Sequence, residues 1–399
     1  VVGAPATLDP YSPLASDLTY ALVRPLYPSL FQFDPDGSTR ASLAARLVHT
    51  DKGVRVELAR ARWSDGSFVG AHDVLRSIAR ARPPSGFARV TSARRVSVRE
   101  VALEGAIGNW RRALATLSFV IPDGIAWNGH GRFIGAGAFK ASSYRAGLHL
   151  IYERNARSDL VETPNLHKLE VQFVESENVL LELLADDRLD AIVPPATVNL
   201  ADRLDEMDVQ HEAELGWESV RLELEQSLSF PERAAVVAPI DRNALVAGFV
   251  REDGVLSDTL HPGPEGTDGP WSGSLGKRAR ITTPIKLSTP VGDELLNLIQ
   301  RALQIQLTEA HVEVEPITTS LSEFYGLWRL DDPTDVAIIR AAGAPGLRDG
   351  PVARRQLTAL PIAQVRTYLA WRTGVHGLVV NPTFEGPLWN AETWWIDRS

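Results

Sequence analysis

Along this chain the spacing of the apolar residues switches repeatedly between a period of two and a period of about 3.6, and neither persists for long. Val54, Val56 and Leu58 alternate as a half-buried strand does, and Val74, Leu75, Ile78 and Ala79 then recur at helical spacing. Strand-like alternation returns at Leu148, Leu150 and Tyr152 and at Leu169, Val171 and Phe173. A helix near Asn178–Leu184, a short strand near Leu189–Val193 and a strand through Val220, Leu222 and Leu224 follow. Further on, the pattern predicts a helix over Glu232–Phe249 kinked at Pro239, a long loop over 251–284 and a long amphipathic helix from Leu295 to Leu307. Strands near Val312–Val314 and Val336–Ile339 complete the series. Such a mixture of short strands and helices predicts an α/β class.

Local punctuation supports these boundaries. Ser12-Pro13 has the N-cap and N1 chemistry of a helix start, and Asp34-Pro35-Asp36-Gly37 and Asp65-Gly66 are turns. The chain has 399 residues, more than one hydrophobic core usually supports, so two or three packed units are expected.

Composition narrows the function classes. A net charge of −9 argues against nucleic acid as a partner. Cysteine is absent, which excludes disulfides, thiolate metal sites and a cysteine nucleophile. No apolar run reaches the roughly 18–20 residues needed to span a bilayer. His311, Glu313 and Glu315 could share a strand face and ligate a metal, but a solvated strand explains them more simply. His211-Glu212 lacks the second histidine of a zinc-protease helix, and no serine has nucleophile-elbow spacing. Neither a cofactor nor a metal is expected, and no catalytic constellation emerges.

Eight motifs, read in order, resemble the extracellular solute-binding proteins of family five, the peptide- and nickel-binding components of ABC importers. They begin with Thr7-Leu8-Asp9-Pro10 and Arg24-Pro25-Leu26-Tyr27-Pro28-Ser29-Leu30-Phe31. The most recognisable is Trp63-Ser64-Asp65-Gly66-Ser67-Phe68-Val69-Gly70-Ala71-His72-Asp73-Val74. The family pattern there is Trp-Ser-Asp-Gly-Thr-Pro-Leu-Thr-Ala-Glu-Asp-Val. Gly135-Ala136-Gly137-Ala138-Phe139-Lys140, Glu153-Arg154-Asn155 and Arg188-Leu189-Asp190-Ala191-Ile192 follow. Ala238-Pro239-Ile240-Asp241-Arg242 and Val375-His376-Gly377-Leu378 complete the series.

The resemblance implies a two-lobed, periplasmic-binding-protein-like clamp with a discontinuous first lobe and two hinge strands. The first lobe is expected over residues 1–218 plus 376–399, with a reduced outer subdomain at about 39–135, and the second over 219–375. The hinge strands are expected near Val220–Leu224 and Val375–Val380. By the same resemblance the protein is a monomer outside the cytoplasm, periplasmic or anchored as a lipoprotein. It captures a small-molecule or peptide ligand for an ABC permease, with no direct membrane span. The alternative is the same fold used as a ligand sensor or cell-envelope scaffold.

The resemblance also indicates ligand-binding positions. Tyr11 and Ser12 follow the Leu-Asp-Pro loop, which faces the cleft in relatives. Peptide binders carry a Gly-Trp-x-x-Asp segment after a second-lobe strand, whose acid holds the peptide amine. Here that segment reads Arg340-Ala341-Ala342-Gly343-Ala344, without tryptophan or acid. No acid follows Arg340 before Asp349, so its guanidinium is expected to favour an anionic or acceptor-rich solute, unless it pairs with Asp335 or Asp349. Trp371 either lines the cleft or packs in the core. Trp389, Trp394 and Trp395 are expected to be packing anchors.

Overall fold

The computed structural model describes residues 1–123, 133–260, 279–320, 324, 334–342 and 355–397. The chain forms two compact units. One comprises Gly3–Phe173 and Thr373–Ser399 with Val1, and the other Val174–Arg372 with Val2. The first unit is therefore discontinuous in sequence.

In the first unit, α1 (Asp17–Val23) precedes a ribbon of β1 (Phe31–Phe33) and β2 (Thr39–Ala41). A four-stranded antiparallel sheet runs in the order β3 (Ala44–Thr50), β4 (Gly53–Leu58), β6 (Glu100–Glu104), β5 (Ser92–Ser97). Helix α2 (Ala71–Arg80) lies between β4 and β5 in sequence, and α3 (Trp110–Ala115) follows β6. A three-stranded sheet of β7 (Phe139–Arg145), β8 (His149–Arg154) and β9 (Lys168–Gln172) completes the N-terminal part. The C-terminal segment returns as β17 (Val375–His376), which pairs β18 (Trp395–Ile396).

The second unit opens with α4 (Glu177–Ala185), β10 (Ala191–Ile192), α5 (Leu200–Glu206) and the 15-residue strand β11 (Gln210–Leu224). Helices α6 (Phe230–Val237) and α7 (Arg242–Leu245) lead to β12 (Gly254–Leu256). Then come β13 (Ile285–Pro290), α8 (Glu294–Glu309), β14 (Val314–Thr319), β15 (Val336–Ala342) and β16 (Ala359–Trp371). A seven-stranded mixed sheet runs β10-β16-β11-β15-β13-β14, with β12 also pairing β16. Its core is apolar on every contributing element. Leu295, Leu296, Ile299, Leu303 and Leu307 form the buried stripe of α8, packed with Ile285, Leu287, Val336 and Ile338 from the strands.

Four expectations require correction. Helix α1 starts at Ser16, whose hydroxyl accepts from Thr19 N–H in a reciprocal cap. Ser12 instead closes a tight turn, its hydroxyl accepting from Leu14 N–H at 3.2 Å. Pro239 terminates α6 at Val237 rather than kinking a longer helix. His311 occupies a left-handed turn with φ 62° ahead of β14, so it shares no strand face with Glu313 and Glu315. Finally, the boundary expected between residues 218 and 219 would cut β11. The second unit begins at Val174, because Leu180, Leu181, Leu184, Leu200 and Leu204 pack into the same core as Val220.

The hinge placement moves with that boundary. Val220–Leu224 pairs with both β15 and β16 inside the second unit's sheet. The chain passes between units at Phe173–Val174 and Arg372–Thr373.

Candidate ligand-binding edge of the second unit

Strands β13, β14 and β15 are parallel, and β15 and β16 both run antiparallel to β11. Four strands therefore run toward the same edge of the sheet. Open α/β sheets present ligands to the crevice outside the carboxyl ends of their strands. That edge is built from Val291–Asp293, Thr319–Ser320 and the end of β15 at Ala342, while β16 runs on past it to Trp371.

A buried ion pair organises it. Asp293 is the N-cap of α8, its Oδ1 accepting from Leu296 N–H at 3.1 Å. Arg340, near the end of β15, meets the same carboxylate twice: Nε donates to Oδ2 at 2.5 Å and Nη2 to Oδ1 at 3.0 Å. Nη2 also donates to the Ala196 carbonyl at 2.6 Å. One guanidinium thus ties β15, the start of α8 and the segment after β10 together, with side-chain exposures of only 8% and 6% for Arg340 and Asp293. Gly292 precedes this cap at φ +88°, and a Cβ there would lie 2.3 Å from the Glu175 carbonyl. The backbone of the loop before α8 and the segment entering α4 therefore touch.

Glu177, in the first turn of α4, is buried beside this group. Arg203 of α5 donates to its Oε1 at 2.5 Å and to Asn178 Oδ1 at 2.8 Å. Burial pushes the Glu177 carboxyl up to about 7. Arg203 and Arg340 pull it down and Glu294 pushes it further up.

The structure separates the residues that sequence reasoning grouped. Arg340, Ala341 and Ala342 sit together on β15, with Gly343 outside the described residues. Ala341 is buried and its carbonyl accepts from the Ser219 hydroxyl at 3.3 Å. Trp371 lies at the far end of β16, opposite Gln210, while Ala342 lies opposite Glu218. Eight residues of β11 separate those levels, a distance of roughly 25 Å. Trp371 is buried, and its Nε1 donates to Gln210 Oε1 at 2.6 Å.

Tyr11 and Ser12 belong to the first unit. Tyr11 is only 4% exposed and donates its hydroxyl to the Phe119 carbonyl. Ser12 serves the turn described above.

The positive local field expected at Arg340 also requires correction. Its partner is Asp293, while Asp335 accepts from Lys286 N–H at 2.9 Å and Asp349 lies outside the described residues. Asp293, Glu177 and Arg203 escaped sequence reasoning. Asp293-Glu294 ahead of an apolar stripe does carry an N-cap signature. Nothing local indicates which cation an N-cap acid will meet.

The family-like motifs of the first unit are packed on one another. Ala136 and Gly137 N–H both donate to the Leu26 carbonyl at 3.0 Å, and Ser64 N–H donates to the Gly135 carbonyl at 2.8 Å. Asn155 Nδ2 donates to the Gly137 carbonyl at 2.9 Å. A Cβ on Gly137 would lie 2.3 Å from the Pro25 carbonyl, so that close approach requires glycine.

The model of the bacterial extracellular solute-binding proteins, family 5 Middle, matches residues 51–274, more than half the chain. The chain belongs to family five of the bacterial extracellular solute-binding proteins. That is a family of binding proteins, and its fold is the two-lobed one. Solved structures share the fold of this family-five protein along nearly its whole length. The oligopeptide-binding protein AppA from Bacillus subtilis, in complex with a nonapeptide, is similar at TM-score 0.83 and 16% identity, over 100% of this chain and 98% of that one. AgaA from A. tumefacien R10, in complex with agropinic acid, gives the same score, identity and coverage. NikA from Staphylococcus aureus, in complex with Ni(L-His)2, gives 0.76 at 14% identity, over 97% of this chain and 96% of that one. No curated protein matches the family-five chain in sequence.

Among the described residues, no group of three or more His, Asp or Glu is placed to hold a metal ion. No described helix is long and apolar enough to cross a membrane.

Proposed function

We propose that this family-five protein captures a small polar solute outside the cytoplasm, hands it to an ABC permease and catalyses no reaction. The carboxyl-end edge of the second unit's sheet carries the reading. There the Arg340–Asp293 pair holds three segments in place, and the reading assigns solute contact to the end of β15 at Ala341 and Ala342. In this reading Arg340 positions the edge and does not grip an anion, because its charge is offset by Asp293. Trp371 forms a separate contact at the end of β16, while Tyr11 and Ser12 serve packing and turn formation. A lipid anchor and a monomeric state accompany the reading.

The similar proteins named above hold a nonapeptide, agropinic acid and Ni(L-His)2. A solute screen by thermal shift should therefore span peptides, small polar acids and chelated metals, with hits confirmed by calorimetry. A true ligand at about 100 times its Kd adds about 2.7 kcal/mol of stability. Uptake of that ligand by vesicles carrying the cognate permease should then depend on this protein. Absence of any binding solute would refute capture, and binding without uptake would favour the sensor or scaffold reading.

A further inference from the structure

The sheet β3-β4-β6-β5 and its connections are strongly basic in an acidic chain. Residues 39–104 hold 13 Arg and Lys against 6 Asp and Glu, a balance of +7, while the whole chain carries −9. A preference for arginine over lysine does not explain where the cations fall. Arg46, Lys52, Arg55, Arg60, Arg82, Arg94, Arg95 and Arg99 are exposed, and none forms an ion pair among the described residues. Asp51, Glu57, Asp65, Glu100 and Glu104 are interspersed with them, and the sixth acid, Asp73, is buried at the start of α2.

An apolar tip lies in the midst of these cations. Phe68, Val98 and Val96 are 56%, 62% and 36% exposed. The turn between β5 and β6 sits against the end of the Trp63–Val74 motif: Ala71 N–H donates to the Val98 carbonyl and Leu58 N–H to the Arg99 carbonyl, both at 2.8 Å. Arg60 stands 5.7 Å from the Phe68 ring centroid. Phe68 and His72 occupy the positions where the family pattern has Pro and Glu. At these two positions an exposed aromatic ring is gained and an acid is lost.

We propose that the β5 edge of this sheet and the β5–β6 turn dock on an anionic phospholipid surface, with Arg94 and Arg95 on the two sides of that edge and Arg99 in the turn meeting lipid phosphates, and Phe68 and Val98 entering the headgroup region. Guanidinium matches phosphate in a bidentate way, and exposed apolar groups flanked by cations favour an anionic bilayer interface over bulk water. Protection of an edge strand explains charges on β5, which is the sheet edge. It does not explain Arg55 on the inner strand β4, Arg60 beyond its end, or the exposed Phe68 and Val98.

The test uses the full chain in unlipidated form, sedimented with vesicles of phosphatidylcholine and phosphatidylglycerol or of phosphatidylcholine alone. Binding is expected to the mixed vesicles only and should be lost in molar salt, where screening acts within about 3 Å. The triple substitution Arg94→Gln, Arg95→Gln, Arg99→Gln should weaken it about 100-fold, at about five-fold per cation. Phe68→Ser with Val98→Ser should weaken it with the salt dependence intact, and carries the test if the triple variant loses its thermal transition. Equal affinity for both vesicle types, unchanged binding by both variants, or capture by an acidic protein without vesicle affinity would each overturn the proposal.

Discussion

Arg340 shows how burial changes what a residue can do. In water a guanidinium is a candidate anion clamp, but at 8% exposure it must have a local counter-charge, and Asp293 supplies it. Removing one member strands the other. Arg340→Ala is expected to destabilise the second unit by about 3–5 kcal/mol in urea unfolding. Replacing both members at once, as Arg340→Met with Asp293→Asn, should cost much less, since asparagine keeps the α8 cap and neither member of the pair is left charged without the other. A single variant as stable as the double would show the pair to be unimportant. Glu177 gives a pH signature from the same cluster. Its carboxyl sits near 7 when folded against an ordinary 4.5, so the folded state holds the proton more tightly. That contribution is fully present below 4.5 and lost as pH rises through 7. The loss amounts to at most about 3 kcal/mol. Subtracting the unfolding free energies of Glu177→Gln from those of the unaltered protein, pH by pH, should isolate this slope from the other buried acids. A pH-independent difference would contradict it.

At the scale of elements, most helices and strands are legible in the chain, and the failures have physical causes. Strand β16 is poorly legible in the chain because Pro361 sits inside it, and proline argues against a central strand. The structure accommodates it at a register shift in the β11–β16 pairing, where Arg221 faces Pro361 and Val220 faces Ala363. The returning C-terminal segment is an element of another kind, held by polar anchors rather than a long pairing. Glu385 Oε1 accepts from Phe33 N–H at 2.9 Å, and Asn381 Nδ2 donates to the Phe33 carbonyl at 3.3 Å. The other Glu385 oxygen lies 2.7 Å from Arg24 Nε, with both side chains 1% exposed. Glu385→Ala should therefore cost the first unit about 3–5 kcal/mol, since it leaves a buried guanidinium and a buried N–H unsatisfied. Calorimetry should place that loss in the first unit's transition; a loss under about 1 kcal/mol would mean the anchor is solvated.

Over the whole molecule, the two units differ in charge as well as topology. The unit of 3–173 and 373–399 carries 23 basic and 18 acidic residues, and that of 174–372 carries 18 and 32. The apolar periods, caps and turns of the sequence determined the elements, the α/β class and the family, because each depends on residues within a few positions of one another. The discontinuity of the first unit followed from the family resemblance; the passage points at Phe173–Val174 and Arg372–Thr373 did not. They depend on which core α4, β10 and α5 join. The tertiary structure alone decided the charge pairings. Arg340 finds Asp293 47 residues away, and Arg24 finds Glu385 at the other end of the chain. A guanidinium buried by its neighbours pairs with whichever carboxylate the fold brings within 3 Å, and no local pattern encodes that meeting.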